Sequence, residues 1–248
     1  MKCLKNQKYP FAQALLDELE ARFSASQHII FAARNDTRMI EFTPKGGEPI
    51  KLAVKSFRVP HLLNRFVYRF IRASKAKRSY LHSVKIGDLT PEAVACCEQF
   101  KNGLLGKSYY ICHYFDFDFE IKEVLTDADY QNRDDILRQF ADFTYQLHEK
   151  GIYHKDYSSK NILVKCSDSD YEFKIVDVNR MNFGELNIAK RMQNFSRLAL
   201  DDATMTIIIQ RYAEILGVEH SPLLKQAMAA RDTFRSRRKR LRKIRGKD

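Results

Sequence analysis

The chain has 248 residues, 44% of them hydrophobic and 12% aromatic, which suffices for one large domain or two small lobes around a cleft and is too apolar for a disordered chain. The net charge is +12 and unevenly spread: positions 231–248 hold ten Lys/Arg against two acids, and positions 55–78 hold eight with no acid, so the remainder is slightly negative. Localised positive charge points to a polyanionic neighbour such as anionic lipid, phosphorylated glycan or nucleic acid; a solvated tail that only aids solubility is the alternative.

Phe11, Leu15, Leu16, Leu19 and Phe23 recur at helical spacing and predict a helix that precedes the core and packs on it. His28–Phe31 and Met39–Phe42 then read as two strands. The connection between them, 32–38, stands where a hairpin covers nucleotide phosphates, but it lacks glycine, which makes the backbone approach less close. Arg34 either supplies charge there or is an exposed loop arginine. After the turn at 44–49, Leu52, Val54 and Ser56 alternate with Lys51, Ala53, Lys55 and Phe57, as a strand requires. Lys55, near the end of that strand, matches the position of a phosphate-pairing lysine.

Leu62, Leu63, Phe66, Val67, Phe70 and Ile71 repeat at helical spacing, with Arg58, Arg65, Arg69, Arg72, Lys75, Lys77 and Arg78 filling the rest. Such a basic amphipathic segment lies against a membrane, holds an anionic acceptor, or is a lobe helix with a solvated face. Ser108–Phe115 is strand-like and should lead to a hinge, where the adenine of ATP would stack on an apolar wall and backbone groups of about Tyr114 to Asp116 would read its edge. Ile136, Leu137, Phe140, Phe143, Thr144 and Leu147 form the inward stripe of a helix over 133–150, stopped by Gly151. Ile162–Lys165 and Tyr171–Val176 bracket a polar turn at 167–170, and Thr204–Leu216 and Leu223–Phe234 read as closing helices.

Between the long helix and that strand pair sits His154-Lys155-Asp156-Tyr157-Ser158-Ser159-Lys160-Asn161, an H-x-D-x-x-x-x-N, and sixteen residues past Asn161 a second apolar run ends in Asp177. An Asp and an Asn at this spacing, then an Asp after a short strand, form the catalytic loop and metal site of the protein-kinase-like fold. Phosphoryl transfer is mostly positioning and charge neutralisation. Asp156 would accept or orient the proton of the attacking hydroxyl, Asn161 and Asp177 would hold Mg²⁺ through hard oxygen atoms, and Lys55 would neutralise the α/β-phosphates of ATP. His154 is expected to be a structural residue of the loop, bonded to backbone near Asp177. The segment after Asp177 is Val178-Asn179-Arg180 rather than Phe-Gly, and the long Ala-Pro-Glu segment of regulated protein kinases is absent.

These features predict an α+β, bilobal protein-kinase-like fold: a helical extension at 1–27, a small antiparallel-sheet N-lobe at 28–113, a mainly helical C-lobe at 114–230 and a basic tail at 231–248. The five cysteines are odd in number and none is spaced C-x-x-C, which predicts reduced thiols in a cytosolic protein rather than a disulfide framework or a zinc site. The N-terminus shows no apolar core of an export signal, and no run approaches a membrane span, so any membrane contact is expected to be peripheral.

Several stretches resemble the lipopolysaccharide kinase family, the Kdo/heptose kinase (WaaP/InaA-like) group: Val54–Arg65, Lys75–Tyr80, Gly103–Tyr110, Leu147–Ser158 and Val176–Met181. The resemblance covers nearly the whole chain after about Ile29. It implies ATP- and Mg²⁺-dependent phosphorylation of a sugar hydroxyl in the lipopolysaccharide inner core, at the cytoplasmic face of the inner membrane of a Gram-negative bacterium. An anionic, lipid-linked sugar would account for both basic blocks. Three departures accompany it: Lys77 stands where relatives carry the glutamate that pairs the strand lysine, Ser159-Lys160 replaces Pro-Gly before the metal asparagine, and the phosphate hairpin has no glycine. Lys160 then either touches the γ-phosphate or is simply exposed. The alternatives are a kinase-like protein acting on a small molecule or protein, and a pseudokinase scaffold docked on anionic membrane or RNA.

Overall fold

Residues 1–116 together with 177–179 form the first of two units in the computed structural model. The structure describes all residues except 33–34, 168–169, 199, 245 and 247–248, so Arg34, the middle of the polar turn and the end of the basic tail lie outside the described residues.

The strands of the first unit are β1 (Lys2–Lys5), β2 (Ile29–Ala32), β3 (Asp36–Phe42), β4 (Ile50–Phe57), β5 (Ala93–Lys101) and β6 (Leu104–His113). They make one antiparallel sheet in the order β1-β5-β6-β4-β3-β2. The predicted N-terminal helix is two, α1 (Ala12–Asp17) and α2 (Leu19–Ala25), separated at Glu18. Their apolar stripe packs Leu15, Leu16 and Leu19 against Leu52, Val54 and Ile111 on one face of the sheet. Burying each such side chain stabilises by about 1.5–3 kcal/mol. The first 27 residues are therefore part of the core and of the sheet, not an appendage.

Strand alternation in β4 sends Ala53, Lys55 and Phe57 to the other face. There Ala76 and Tyr80 of α4 (Lys75–Ile86) cover Phe57, Cys96, Tyr110 and Cys112. The basic amphipathic segment thus resolves into α3 (Leu62–Phe70) and α4, which begins at Ser74, whose Oγ accepts from Lys77 N at 3.1 Å. α4 buries five residues and α3 none.

One expectation is overturned here. Cys3 and Cys97 form a disulfide, because the β1–β5 register sets them directly opposite each other. Parity and spacing could not reveal it, since the pair is 94 residues apart in sequence and depends on which strands are neighbours. Cys96, Cys112 and Cys166 are free thiols.

The second unit holds residues 117–176 and 180–248. Its elements are β7 (Phe119–Glu120), α5 (Ile121–Thr126), α6 (Arg133–Glu149), β8 (Ile152–His154), β9 (Ile162–Cys166), β10 (Tyr171–Ile175), β11 (Met181–Phe183), α7 (Ile188–Phe195), α8 (Asp202–Leu216) and α9 (His220–Ile244). Two small sheets, β10-β9-β7 and β11-β8, accompany the helices. α6 buries the predicted stripe, with Phe140 and Leu137 wholly enclosed. α7 has no counterpart in the sequence reading: it is short and polar, capped by Asn187, and only Met192, Asn194 and Phe195 are buried. The basic block from Arg231 is the C-terminal half of α9. Arg231 itself is buried and donates to Leu200 O (3.1 Å) and Asp202 Oδ1 (2.6 Å). Among the described residues no helix is long and apolar enough to cross a membrane.

Candidate functional site

In the second unit, α6 ends at Gly151, whose φ of +66° lets the chain turn back. A Cβ there would stand 2.7 Å from Gly184 O, so only glycine fits. Gly184 N in turn donates to Gly151 O at 2.9 Å. This backbone clasp joins β8 to β11 and launches the H-x-D loop.

The loop is then fixed by a polar network. His154 Nδ1 accepts from Asp156 N (2.9 Å), so its Nε2 carries the proton and donates to Val176 O (3.2 Å). Asn194 Nδ2 donates to His154 O (3.0 Å), and Asn194 Oδ1 accepts from His148 Nε2 (3.2 Å). His148 Nδ1 faces Tyr212 Oη at 2.8 Å. Burial pushes His148 down from 6.5 to about 4, so it sits neutral at pH 7. Tyr157, fully buried, stacks on Phe140 and shares a 2.7 Å hydrogen bond with Thr144. Asp156 is thereby delivered by a rigid mount built from α6, α7 and α8.

The Asp156 carboxylate is half-exposed. Arg180 Nη1 lies 3.5 Å from its Oδ2 and Arg197 Nη1 3.5 Å from its Oδ1. Asn161 donates its Nδ2 to Asp156 O at 2.9 Å, and its backbone carbonyl accepts from Val176 N. The Asn161 amide thus has its nitrogen committed to the loop, leaving Oδ1 as the atom able to ligate. Lys160 is exposed, and its charge acts on Glu120 at the start of α5. Burial, the largest influence, raises the Glu120 carboxyl, while Lys160 and Lys122 pull it down.

In the first unit, Lys55 Nζ lies 2.7 Å from Asp177 Oδ1. The same oxygen accepts from Asn179 Nδ2 at 2.5 Å. Asp177 has φ +57°, a left-handed conformation that a short polar side chain tolerates better than most. The backbone just beyond is held by His82 Nδ1, 2.7 Å from Val178 O. Lys55 therefore pairs with Asp177, while Lys77 stands at the α4 N-terminus where a glutamate would otherwise be expected. Tyr114 N donates to Lys51 O (2.9 Å), so that donor is not available to an adenine edge. The Tyr114 ring lies edge-on to His28.

The structure thus brings Lys55 together with Asp177, and Asp156 together with Asn161. Asn179, Arg180, Arg197, His148 and Asn194 were not singled out from sequence. Only Asn179 and Arg180 carried a signal, their adjacency to Asp177. Among the described residues no group of three His, Cys, Asp or Glu is placed to hold a metal ion. Mg²⁺ is commonly bound by one or two protein oxygen ligands plus phosphate oxygens and water, and the Asp177 carboxylate and Asn161 amide oxygen are donors of that type.

The family model described as "Lipopolysaccharide kinase (Kdo/WaaP) family" matches residues 76–216, more than half of the chain. No curated protein matches. Among solved structures, "WaaP in complex with acyl carrier protein" aligns with a TM-score of 0.58 at 16% identity, covering 94% of this chain and 99% of that one. A MAP kinase from Leishmania major aligns with a TM-score of 0.44 at 16% identity, covering 87% of this chain and 65% of that one. The fold is protein-kinase-like, with an antiparallel sheet in its N-terminal part and a mainly helical C-terminal part.

Proposed function

Because the chain belongs to the lipopolysaccharide kinase (Kdo/WaaP) family, we propose that it transfers the γ-phosphoryl group of ATP to a hydroxyl of an inner-core sugar, Kdo or heptose. The observation that carries this reading is the Asp156 loop, fixed within the second unit by its own hydrogen bonds, in a chain whose first unit holds a short Lys55–Asp177 pair. The acceptor oxygen attacks the γ-phosphorus, its proton passes to Asp156, and the bond to the β-phosphate oxygen breaks, releasing ADP. Lys55 neutralises phosphate charge, and Asn161 and Asp177 are the residues that would hold Mg²⁺. The ion, when bound, supplies further charge neutralisation at the phosphoryl oxygens.

The acceptor is lipid-linked, and the reaction takes place at the cytoplasmic face of the inner membrane. Exposed apolar side chains on α3 support that placement. Leu63 is 85% and Phe66 55% exposed, with Leu62, Phe70 and Ile71 alongside. Arginines at 58, 69 and 72 are exposed around them, as on a helix that lies in a lipid interface. The basic half of α9 adds charge with fewer apolar groups. The solved WaaP is in complex with an acyl carrier protein, which supports a protein partner of that kind for this chain as well.

The test presents isolated lipopolysaccharide precursor, with ATP and Mg²⁺, in anionic vesicles and in detergent. Asp156→Asn should lower transfer by about 10²–10⁴-fold in both. Leu63→Ser with Phe66→Ser should slow transfer in vesicles relative to detergent. Equal transfer by wild type and Asp156→Asn sinks the kinase reading, and an unchanged vesicle-to-detergent ratio sinks the membrane reading.

A further inference from the structure

Asp156 is the acid that meets the acceptor, yet two cations lean over it. Arg180 and Arg197 arrive from separate elements, the turn at Val178–Arg180 and the turn at Ser196–Leu198. Each places one Nη1 3.5 Å from a different carboxylate oxygen. Two positive charges over one negative charge leave a local surplus of one.

The distances distinguish this arrangement from a structural ion pair. Arg211 grips Asp142 with a closed fork, Nε–Oδ1 2.7 Å and Nη2–Oδ2 3.2 Å. Arg180 and Arg197 stand off, and among the described residues neither guanidinium donates a hydrogen bond. Apart from the approach of each Nη1 to Asp156, their N–H groups meet no acceptor among the described residues. Both are nonetheless held in place. Lys155 N donates to Arg180 O at 2.9 Å, and the Arg197 guanidinium lies 5.0 Å from the centre of the Phe234 ring of α9. Arg197 is only 38% exposed. Planar forks with unused donors match carboxylate and phosphate oxygens.

We propose that Arg180 and Arg197 form an anion clamp beside Asp156, selecting an acceptor that carries a carboxylate or phosphate next to the hydroxyl to be phosphorylated. The clamp rests on the kinase reading for its purpose, since it orients the acceptor for attack. It does not rest on it for its existence, which is a matter of anion binding alone. A bound anion takes over the two guanidinium groups and frees the Asp156 carboxylate to meet the hydroxyl proton. Discrimination then follows from the loss of charge-assisted hydrogen bonds with a neutral acceptor.

The experiment compares three acceptors: a Kdo-bearing lipid A precursor without phosphate on its sugar, the same molecule with its carboxylates reduced to alcohols, and a heptose-phosphate oligosaccharide. Arg180→Gln, Arg197→Gln and Arg197→Lys are assayed on each. For charged acceptors, each Gln variant should raise KM by about 10–100-fold, with Arg197→Lys in between. The preference for charged over reduced acceptor, measured as a ratio of kcat/KM, should collapse towards one. The two charged acceptors tell carboxylate from phosphate. A fall in kcat that is equal on charged and reduced acceptors, with KM unmoved, overturns the clamp and makes the arginines mere supports of Asp156. If wild type transfers phosphate to none of the three, the functional reading fails separately. The clamp is then decided by calorimetric titration with free Kdo and with inorganic phosphate. Saturable binding by wild type that is lost in the double Gln variant upholds it, and no binding by wild type overturns it.

Discussion

The two aspartates to which the proposed function assigns the chemistry are held in opposite ways. Asp177 is gripped through its side chain: Lys55 at 2.7 Å and Asn179 at 2.5 Å converge on one oxygen. Asp156 is gripped through its backbone, by His154 Nδ1 and Asn161 Nδ2, while among the described residues its side chain meets only arginines, at 3.5 Å. A carboxylate with a fixed head suits a fixed ion and phosphates. One with a fixed root and a loosely attended head suits a partner that arrives and leaves with each turnover.

The largest expected effect separates the two directly. Asp177→Asn and Asp156→Asn should each cut kcat by about 10²–10⁴-fold. Only Asp177→Asn should also move the Mg²⁺ concentration for half-maximal rate upward, by tenfold or more on the order of one lost charged ligand. Equal Mg²⁺ titration curves for the two variants would erase the distinction.

Gly151→Ala attacks the mount of Asp156 and leaves the Lys55–Asp177 sheet alone. The left-handed φ and the close Gly184 carbonyl together should cost roughly 4 kcal/mol, read as a lower midpoint in urea unfolding. Wild-type stability in this variant would mean that the clasp is not what shapes the loop.

A smaller effect comes from pH. His148 is depressed in the folded chain from 6.5 to about 4, first by burial and against the opposing influence of Asn194. The unfolded chain takes up a proton near 6.5 and the folded one resists until about 4. The contribution is therefore complete above pH 6.5 and is lost as pH falls from there towards 4, by at most on the order of 3 kcal/mol. His148→Gln should flatten that part of the stability profile, as followed by unfolding midpoints between pH 7 and 4.

Much of this was legible in the chain. Alternation through Leu52, Ala53, Val54 and Lys55 put the lysine on the sheet face opposite the α1–α2 core, and Gly151 marked the end of α6. The H-x-D-x-x-x-x-N spacing marked the loop because its function is local. What stayed hidden depends on long-range register. Asn194 supports His154 from 40 residues away, Arg197 reaches Asp156 from 41 away, and Cys3 finds Cys97 only through the β1–β5 pairing. The direction of an amphipathic face was hidden as well. α3 and α4 share a basic composition, yet Tyr80 is buried on one while Leu63 is exposed on the other, because only α4 lies over the Cys96–Tyr110 face of the sheet.

The position of β1 sets a timetable for the newborn chain. Of the six strands of this sheet the earliest made, β1, sits at one edge, and the next to emerge, β2, belongs at the far edge. The partner of β1 begins at Ala93, so at ordinary translation speeds of roughly 5–20 residues per second the N-terminal strand waits about 5–20 s with its amides unpaired. Throughout that interval Cys3 has no Cys97 to meet. The edge strand made earliest thus depends on a partner made late, and the cross-link spans that interval.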